Sequence, residues 1–243
     1  TIITVVKNDQ DNITKTINSI ESQKFRDYEY IIVDGFSEDK TTEKILKKKR
    51  KINIIVREKD KGLYDAMNKG VKLSSGEVIV FVNSGDILTK KALEIIHKKF
   101  KKNKVDFVFG TVKRHYTKKT ILKHGFNPKR ILYNFDFATA HSTGFFIKKK
   151  SLSKIGKFNL KYKCSADYDL YYKAIVKLNM VGDQTTKKQL IGEVSAGGFS
   201  SKLSFYQHLI EETSIRLDNN QNIFFVAIIF INSIIKNFLK KLY

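Results

Sequence analysis

The segment that most constrains the fold is an apolar run that ends in small polar residues and one carboxylate, VIVFVNSGD at residues 78–86. A run of this kind is typical of a strand buried on both faces in the middle of an α/β sheet. Open α/β sheets bind their ligands at the carboxyl ends of their strands. Asp86, which closes the run, therefore marks the place where we expect a functional site.

Strand and helix patterns alternate through the first 110 residues, with helical spacing of apolar residues between apolar runs. This alternation predicts right-handed β-α-β crossovers and a mostly parallel central sheet with helices on both faces. The segment lacks the GxGxxG and GxxxxGK(S/T) motifs, so the usual dinucleotide-binding and P-loop sites are not indicated. The runs that predict the five strands lie at residues 2–6, 28–33, 52–56, 78–82 and 106–110.

The parallel pattern stops after residue 110, where Lys118 and Lys119 mark the turn of a predicted β-hairpin. A strand at residues 143–148 and a helix that begins near Asp167 are expected next. We therefore expect an N-terminal half that is similar to a nucleotide-binding fold, a second half of the same domain, and a C-terminal helical region. Their expected bounds are 1–110, 111–202 and 203–243.

The 243 residues carry a formal net charge of +22, which suggests an anionic partner such as nucleic acid or a membrane. The basic residues are spread over several segments, and no zinc-finger, RNP-like or basic heptad motif is present, so nucleic acid is not expected. The single cysteine, Cys164, and the absence of a leader before the first strand favour a cytoplasmic protein.

The C-terminal segment, residues 223–243, is apolar as far as Ile235 apart from Asn232 and Ser233, and it becomes basic afterwards. It is too interrupted for a membrane span, which needs about 20 apolar residues. One interpretation is an amphipathic helix on the inner face of the cytoplasmic membrane, with lysines near the lipid head groups. The other is a helix packed on the core or on a second subunit, which would make an oligomer.

Three aspartates follow predicted strands: Asp34 the second, Asp60 the third and Asp86 the fourth. Because the ends of parallel strands share one edge of a sheet, we expect the three carboxylates to converge. Convergent carboxylates repel unless a cation lies between them, and oxygen ligands favour Mg²⁺ or Mn²⁺. Such an ion commonly shares its coordination with substrate phosphates, which suits a nucleotide diphosphate. Each aspartate taken singly could instead cap a helix or a turn.

Five segments in this order resemble family 2 glycosyltransferases of the GT-A fold. They are TVVKN at 4–8, VDGFSED at 33–39, EKDKGLYDAMNKG at 58–70, FVNSGD at 81–86 and CSADYDLYYK at 164–173. The resemblance extends over roughly residues 1–200 and implies a nucleotide-sugar donor, such as a UDP-sugar. It implies that residues 1–110 form the nucleotide-sugar-binding half and residues 111–202 the acceptor and catalytic half. The residues it implies in donor binding are Val6, Asp34, Asp60, Lys61, Asp65 and Asn68.

In the resembled family, the motif after the fourth strand normally holds two aspartates, one of which binds the metal that bridges the diphosphate. Asn83 and Gly85 stand here at positions that are often acidic, and both are retained as candidate donor or acceptor contacts. Asp86 is therefore the implied ligand of Mn²⁺ or Mg²⁺, with His141 as a second ligand or a substrate contact. The paired glycines Gly197 and Gly198 suggest a loop that closes over the donor.

Asp167 matches the catalytic base of the family, the second acid of a pair usually written ED, with Ala166 in place of the first. The implied role is to take the proton from an acceptor hydroxyl while its oxygen attacks the anomeric carbon, which inverts the configuration. Asp167 could also cap the helix that starts there, and Asp169 is expected to be structural.

The resemblance implies an inverting hexosyl- or N-acetylhexosaminyltransferase that adds a single sugar to a glycan or lipid-linked acceptor. Charge and the apolar C-terminal segment together suggest a peripheral membrane enzyme of surface-polysaccharide biosynthesis, such as that of a capsule or lipopolysaccharide. Two alternatives stay open. A sugar-phosphate nucleotidyltransferase would need a glycine-rich N-terminal loop, which KNDQDN at residues 7–12 lacks. A non-catalytic protein that binds nucleotide sugars or nucleic acid would account for the missing acids.

Overall fold

The structure is a computed structural model that describes residues 1–117, 119–133, 137–138, 141–195 and 203–242. Its strands are β1 (Ile2–Val6), β2 (Tyr30–Asp34), β3 (Ile54–Arg57), β4 (Val78–Phe81), β5 (Ile87–Leu88), β6 (Phe107–Phe109), β7 (Thr111–His115), β8 (Thr120–Lys123), β9 (Phe145–Lys148), β10 (Gly182–Gln184) and β11 (Leu190–Val194). Its α-helices are α1 (Ile13–Glu21), α2 (Thr41–Lys47), α3 (Leu63–Leu73), α4 (Ala92–Lys102), α5 (Lys149–Ile155), α6 (Ala166–Tyr172), α7 (Phe205–Asp218) and α8 (Ile223–Leu242).

Seven strands form the larger sheet, in the order β10-β6-β9-β4-β1-β2-β3. β1 pairs in parallel with β2 and β4, β2 with β3, and β6 with β10. β9 runs antiparallel between β4 and β6, so the sheet does not pass directly from the fourth predicted strand to the fifth. The predicted mostly parallel α/β sheet is confirmed, and strands from both halves of the chain build it. The division into halves near residue 110 stays a prediction.

A smaller sheet of four strands has the order β5-β11-β7-β8. β7 and β8 pair antiparallel, which confirms the predicted hairpin, although Lys118 of its turn lies outside the described residues. β11 pairs in parallel with β7 and antiparallel with β5. β5, β10 and β11 were not predicted. β5 has two residues and β10 three, too few for an apolar period to emerge from the sequence.

The alternation of side chains along β1 explains why its apolar run is continuous. Every residue of the strand is buried. Ile3 belongs to the apolar cluster that contains Met67 of α3, whereas Ile2 belongs to the cluster on the opposite face, with Ile17 of α1. Because successive residues of a strand point to opposite faces, a sheet covered by helices on both sides needs apolar residues at every position. Each aliphatic side chain buried in this way contributes about 1.5–3 kcal/mol to stability.

The C-terminal helices α7 and α8 pack against each other, and α7 also packs against α6. Arg216 of α7 is fully buried, and its guanidinium donates to the carbonyls of Ile131 and Leu132 at 2.8 and 3.2 Å. α8 buries Val226 and Ile229, so the predicted C-terminal helix is confirmed as a helix with one packed side. Among the described residues, no helix is long and apolar enough to cross a membrane.

Candidate active site

A cleft of about 1780 Å³ opens where the strands of the larger sheet end. Val6 at the end of β1, Asp60 before α3 and Asp86 after β4 contribute to its walls. Asp167 of α6 and residues of α7 line it as well. The volume exceeds the roughly 300–1,000 Å³ of an ordinary small-molecule pocket, so the cleft has room for two substrates at once.

Asp86 lies in the wall of the cleft and is 6% exposed. Its carboxylate accepts hydrogen bonds from the Thr143 hydroxyl at 2.7 Å and from the Ser195 amide at 3.1 Å. Burial raises the pKa of Asp86 to about 6, against the opposing effect of these bonds and of the Arg114 charge. A buried carboxylate with so little compensation is a place where a cation would be stabilised.

His141 lies beside Asp86, with 4.0 Å between its Nδ1 and the Asp86 Oδ2. Burial and the nearby Arg114 charge lower the pKa of His141 to about 3, so the ring is neutral. Nδ1 accepts a hydrogen bond from the Thr143 amide at 3.3 Å, which leaves the ring proton on Nε2. The occupied Nδ1 does not fit a metal ligand, whereas the Nε2–H group fits a hydrogen bond to a substrate in the cleft, which His141 lines.

The loop after β4 carries buried polar atoms with no protein partner. The Asn83 Oδ1 and Ser84 Oγ atoms are buried, and neither has a hydrogen-bond partner among the residues that the structure describes. The Asn83 amide nitrogen, in contrast, donates to the Ser142 hydroxyl at 3.2 Å. Gly85 has a φ of +92°, which favours glycine, so the turn toward Asp86 explains why no acid stands at that position. Buried polar atoms without partners mark a place where a ligand completes the hydrogen bonding.

The side chains around Asp86 determine whether a divalent metal fits at this place. In the described part of the chain, no three His, Cys, Asp or Glu side chains meet in a group that could hold an ion. The expected convergence of Asp34, Asp60 and Asp86 is therefore not observed. The Asp86 carboxylate and the unpaired Asn83 Oδ1 nevertheless fit Mg²⁺ or Mn²⁺, because such ions often take one or two protein oxygens and complete their shell with water and phosphate.

Asp34 turns away from the cleft, which explains why the three aspartates do not converge. It is fully buried, and its carboxylate accepts from the Ser37 amide at 2.9 Å, the Ser37 hydroxyl at 2.6 Å and the Thr42 hydroxyl at 2.6 Å. The Arg57 Nε lies 3.9 Å from the same group. Asp34 therefore ties the loop after β2 to α2, and its role in binding the nucleotide stays a prediction.

The other predicted donor-binding residues separate into two groups. Val6 and Asp60 line the cleft, and the Asp60 carboxylate lies so close to Gly35 that a Cβ there would come within 2.1 Å of Oδ2. Lys61, Asp65 and Asn68 are not among the residues that line it. Asp65 accepts from the Lys61 amide at 3.0 Å, and Asn68 exchanges two hydrogen bonds with the Phe158 backbone.

Asp167 lies at the start of α6 and faces the cleft. Tyr64 of α3 donates to the Asp167 Oδ1 at 3.2 Å, and this bond joins the two halves of the chain. Burial raises the pKa of Asp167 above its ordinary value, while the Tyr64 hydroxyl and the Tyr168 amide hold it down. A partly desolvated carboxylate of raised pKa is a stronger proton acceptor than one in water, as a general base requires.

Neighbouring acids hold α6 in place. Asp169 accepts from the Lys173 ammonium at 2.6 Å and the Asn219 amide at 2.9 Å, which confirms its expected structural role. Glu211 of α7 accepts from three backbone amides that precede α6, at 2.7, 2.9 and 3.0 Å. One carboxylate thus binds the backbone that leads into α6, up to its N-cap Ser165, and it fixes the position of Asp167.

Tyr64, Arg114, His208 and Glu212 are among the cleft residues that were not predicted. Tyr64 stood within a motif that the sequence had already singled out, next to Asp65, and its aromatic hydroxyl was the available signal. Arg114 is in the hairpin, and the two α7 residues lie beyond the region of resemblance, so no motif pointed to them. Gly197 and Gly198 lie outside the described residues.

Comparison with known sequences gives a consistent result. The family model described as "Glycosyl transferase family 2" matches residues 1–159. A Mycobacterium bovis "PGL/p-HBAD biosynthesis glycosyltransferase" is 29% identical over 160 residues, which cover 63% of this chain and 60% of the relative. An Escherichia coli "UDP-Glc:alpha-D-GlcNAc-diphosphoundecaprenol beta-1,3-glucosyltransferase" is 29% identical over 128 residues, or 52% of this chain and 50% of the relative. The chain thus spans only half to three-fifths of these curated relatives.

Solved structures share the fold at low sequence identity. S. aureus TarS 1-349 in complex with UDP-GlcNAc has a TM-score of 0.71 and 18% identity, covering 96% of this chain and 71% of TarS 1-349. A Pyrobaculum calidifontis mannosyltransferase in complex with GDP-Man and Mn²⁺ has a TM-score of 0.67 and 13% identity, covering 91% and 64%. These likenesses support the predicted GT-A type of α/β fold, and the family match covers well over half of the residues. The chain therefore belongs to glycosyl transferase family 2.

Proposed function

We propose that the protein transfers one sugar from a nucleotide-diphosphate donor to a hydroxyl of a glycan or lipid-linked acceptor, with inversion. The observation that carries the proposal is the position of Asp167, which faces a cleft large enough for donor and acceptor and is held there by Tyr64. Asp86 and the unpaired Asn83 Oδ1 occupy the part of the same cleft at the end of β4. The base and the diphosphate region thus share one cavity.

In the proposed reaction, the oxygen of the acceptor hydroxyl forms a bond to the anomeric carbon and its proton passes to Asp167. The bond between that carbon and the donor phosphate oxygen breaks, and its electron pair leaves with the nucleoside diphosphate. Attack from the side opposite the leaving group inverts the configuration. Burial of Asp167 favours this proton transfer, because it raises the pKa toward that of an effective base at neutral pH.

The diphosphate needs positive charge and hydrogen-bond donors. Asp86 and the Asn83 Oδ1 would hold Mn²⁺ or Mg²⁺, which when bound supplies charge to the leaving diphosphate. Arg114 lines the same cleft and lowers the pKa of both Asp86 and His141, so its charge acts at this end of the cavity. The Ser84 hydroxyl and the His141 Nε2–H are placed to donate hydrogen bonds to phosphate or sugar oxygens.

Relatives suggest the substrates. The E. coli relative is described as acting with UDP-Glc on a diphosphoundecaprenol-linked sugar, and TarS was crystallised with UDP-GlcNAc. We propose a UDP-hexose or UDP-N-acetylhexosamine donor and a lipid-linked glycan acceptor, in the biosynthesis of a surface polysaccharide or glycolipid. A cytoplasmic site of action follows, since nucleotide sugars are the proposed donors.

A screen of nucleotide sugars tests the donor proposal. We expect a UDP-hexose or UDP-N-acetylhexosamine to raise the melting temperature by several degrees in the presence of Mn²⁺, since a ligand at about 100 times its Kd adds about 2.7 kcal/mol of stability. The same donor should be hydrolysed slowly without acceptor. GDP-mannose and ADP-glucose, which carry other nucleotides, serve as the control donors. Stabilisation by none of the nucleotide sugars would refute the proposal, and binding without any hydrolysis or transfer would favour a non-catalytic binding protein.

The exposed side of α8 fits a membrane surface. Six large apolar side chains recur there at helical spacing and are at least 47% exposed; we call them the apolar face of α8. They are Phe224, Ile228, Ile231, Ile235, Phe238 and Leu239. Ser233 of the same helix lines the cleft from the packed side, which also holds Val226 and Ile229, so α8 lies beside the substrate site and its apolar face points away from it. An apolar face on a protein of net charge +22 suits an anionic bilayer that also holds the acceptor lipid.

Vesicle flotation tests this interpretation. The protein is expected to bind vesicles of phosphatidylglycerol and phosphatidylcholine, and the double variant Phe224→Ser, Ile231→Ser to bind at least about tenfold more weakly, because apolar area drives interfacial insertion. The matched control replaces Leu46 and Leu122, which are 51% and 42% exposed outside α8, by serine. Equal binding by both double variants would contradict a role for α8. Loss of a dimer in the α8 variant alone would assign the face to a second copy instead.

A further inference from the structure

The sequence motif at the catalytic end of the cleft has one acid fewer than the same motif in the resembled family. Ala166 stands where the pair usually written ED has its first acid, and it is fully buried. The structure brings another carboxyl to this place from a distant part of the chain. Glu212 of α7 lines the cleft together with Asp167 of α6, and the two helices pack against each other.

The adjacent residue, Glu211, holds Glu212 in position. Glu211 binds the three amides before α6, and this contact fixes α7 against the start of α6, where Asp167 lies. Glu212 is half-buried, and within the described residues no hydrogen bond to its carboxyl is observed. Its carboxyl faces the cleft and is therefore open to a ligand there.

The charge state of Glu212 follows from its surroundings. Burial and the negative charges of Asp167 and Glu211 raise its pKa to about 8, although the Arg216 guanidinium acts in the opposite direction. Further titratable groups near one or other of these acids are Tyr168 and Tyr171 of α6, His208 of α7, Tyr64 of α3 and Cys164. Glu212 is therefore protonated at neutral pH beside Asp167, which the Tyr64 hydroxyl helps to keep charged. A protonated carboxyl both donates and accepts a hydrogen bond, whereas a carboxylate only accepts.

We propose that Glu212, which lines the cleft with Asp167, binds the acceptor hydroxyl adjacent to the one that Asp167 deprotonates, so that the two carboxyls together select a vicinal diol of the acceptor sugar. The neutral acid orients the diol, and the charged one takes the proton. This inference rests on the proposed transferase function. It assigns to α7, outside the residues that the family model matches, a direct contact with the acceptor.

The test uses octyl glycosides of glucose, galactose and N-acetylglucosamine as acceptor probes, with the donor found in the screen. Glu212→Met, which keeps the volume but loses both hydrogen bonds, is expected to raise the KM of the best probe about tenfold, with little change in the Kd of the donor. Glu212→Gln, which keeps a donor and an acceptor, should stay within about threefold of the wild type at pH 7. The deoxy analogue of the probe that lacks the adjacent hydroxyl should bind wild type and Glu212→Met equally weakly.

The pH dependence distinguishes contact from mere packing. The acceptor KM of the wild type is expected to rise as pH increases through about 8, because Glu212 then loses its proton, whereas that of Glu212→Gln should stay level. An unchanged acceptor KM in Glu212→Met, or a pH response retained in Glu212→Gln, would overturn the inference. Hydrolysis of the donor without acceptor separates the proposed transferase function from the proposed acceptor contact of Glu212. Hydrolysis that persists in every variant supports the transferase function, whereas no hydrolysis by the wild type would refute both proposals.

Discussion

Asp167→Asn is expected to lower kcat for sugar transfer about 10³-fold while the Kd of the donor stays within about twofold, since a general base contributes about 10²–10⁴-fold. The amide has nearly the shape of the carboxylate and can still accept from Tyr64, so the fold should persist. Only the ability to take the acceptor proton is lost. Single-turnover transfer and isothermal titration with the donor measure the two quantities.

Asp183→Asn is the matched control, because Asp183 is an aspartate of β10, at the far edge of the larger sheet, and does not line the cleft. It should transfer sugar at the rate of the wild type. Transfer retained in Asp167→Asn would show that Asp167 is not the general base. A joint loss of donor binding and transfer would indicate a structural role instead.

The dependence of kcat/KM on pH in the wild type tests the same assignment of Asp167 as the base. Since burial raises the pKa of Asp167, the base is deprotonated only above a pH higher than an ordinary aspartate needs, and kcat/KM should fall as pH decreases through that pKa. Tyr64→Phe removes a donor that stabilises the charged form of Asp167, so it should move this acid limb to higher pH. A profile that Tyr64→Phe leaves unmoved would argue against this coupling.

Asp86→Asn is expected to remove the dependence of donor binding on Mn²⁺. In the wild type, Mn²⁺ should tighten the binding of UDP at least about tenfold, because a metal at the diphosphate contributes several kcal/mol of charge stabilisation. The variant should bind UDP with one affinity in Mn²⁺ and in EDTA, equal to that of the wild type in EDTA. Titration calorimetry of UDP under both conditions measures the difference.

Asp86→Asn is expected to retain hydrogen bonds that hold the loop after β4, so a lost Mn²⁺ response would reflect the metal and not misfolding. The asparagine carbonyl can still accept from the Thr143 hydroxyl or the Ser195 amide, so the loop after β4 should remain in place. Asp39→Asn, on the loop before α2 and outside the cleft lining, provides a control of equal charge change. A Mn²⁺ response that survives in Asp86→Asn would move the metal to other cleft residues such as Asp60.

The residues of the candidate site differ in how well local sequence predicts them. Val6, Asp60, Asp86 and Asp167 line the cleft, because each ends or follows a strand or lies at the start of a helix, and the ends of such elements in an α/β fold meet at one edge. Asp34 has the same position relative to its strand. Its carboxylate is nevertheless bound by Ser37 and Thr42, and no local pattern reveals which way a side chain turns once partners compete for it.

By itself, the sequence determined the alternating α/β sheet, the hairpin, the C-terminal helix and the family, because apolar period and motif order are properties of neighbouring residues. The run that ends in Asp86 is a central strand as its apolar composition required, with β1 and β9 on either side. Only the tertiary structure decided that β9 enters the sheet antiparallel, that Tyr64 bonds Asp167 and that α7 carries Glu212 to the cleft. The physical reason is that these contacts join residues about 60 to 100 positions apart or belong to a distant helix, and the packing of the whole chain selects them.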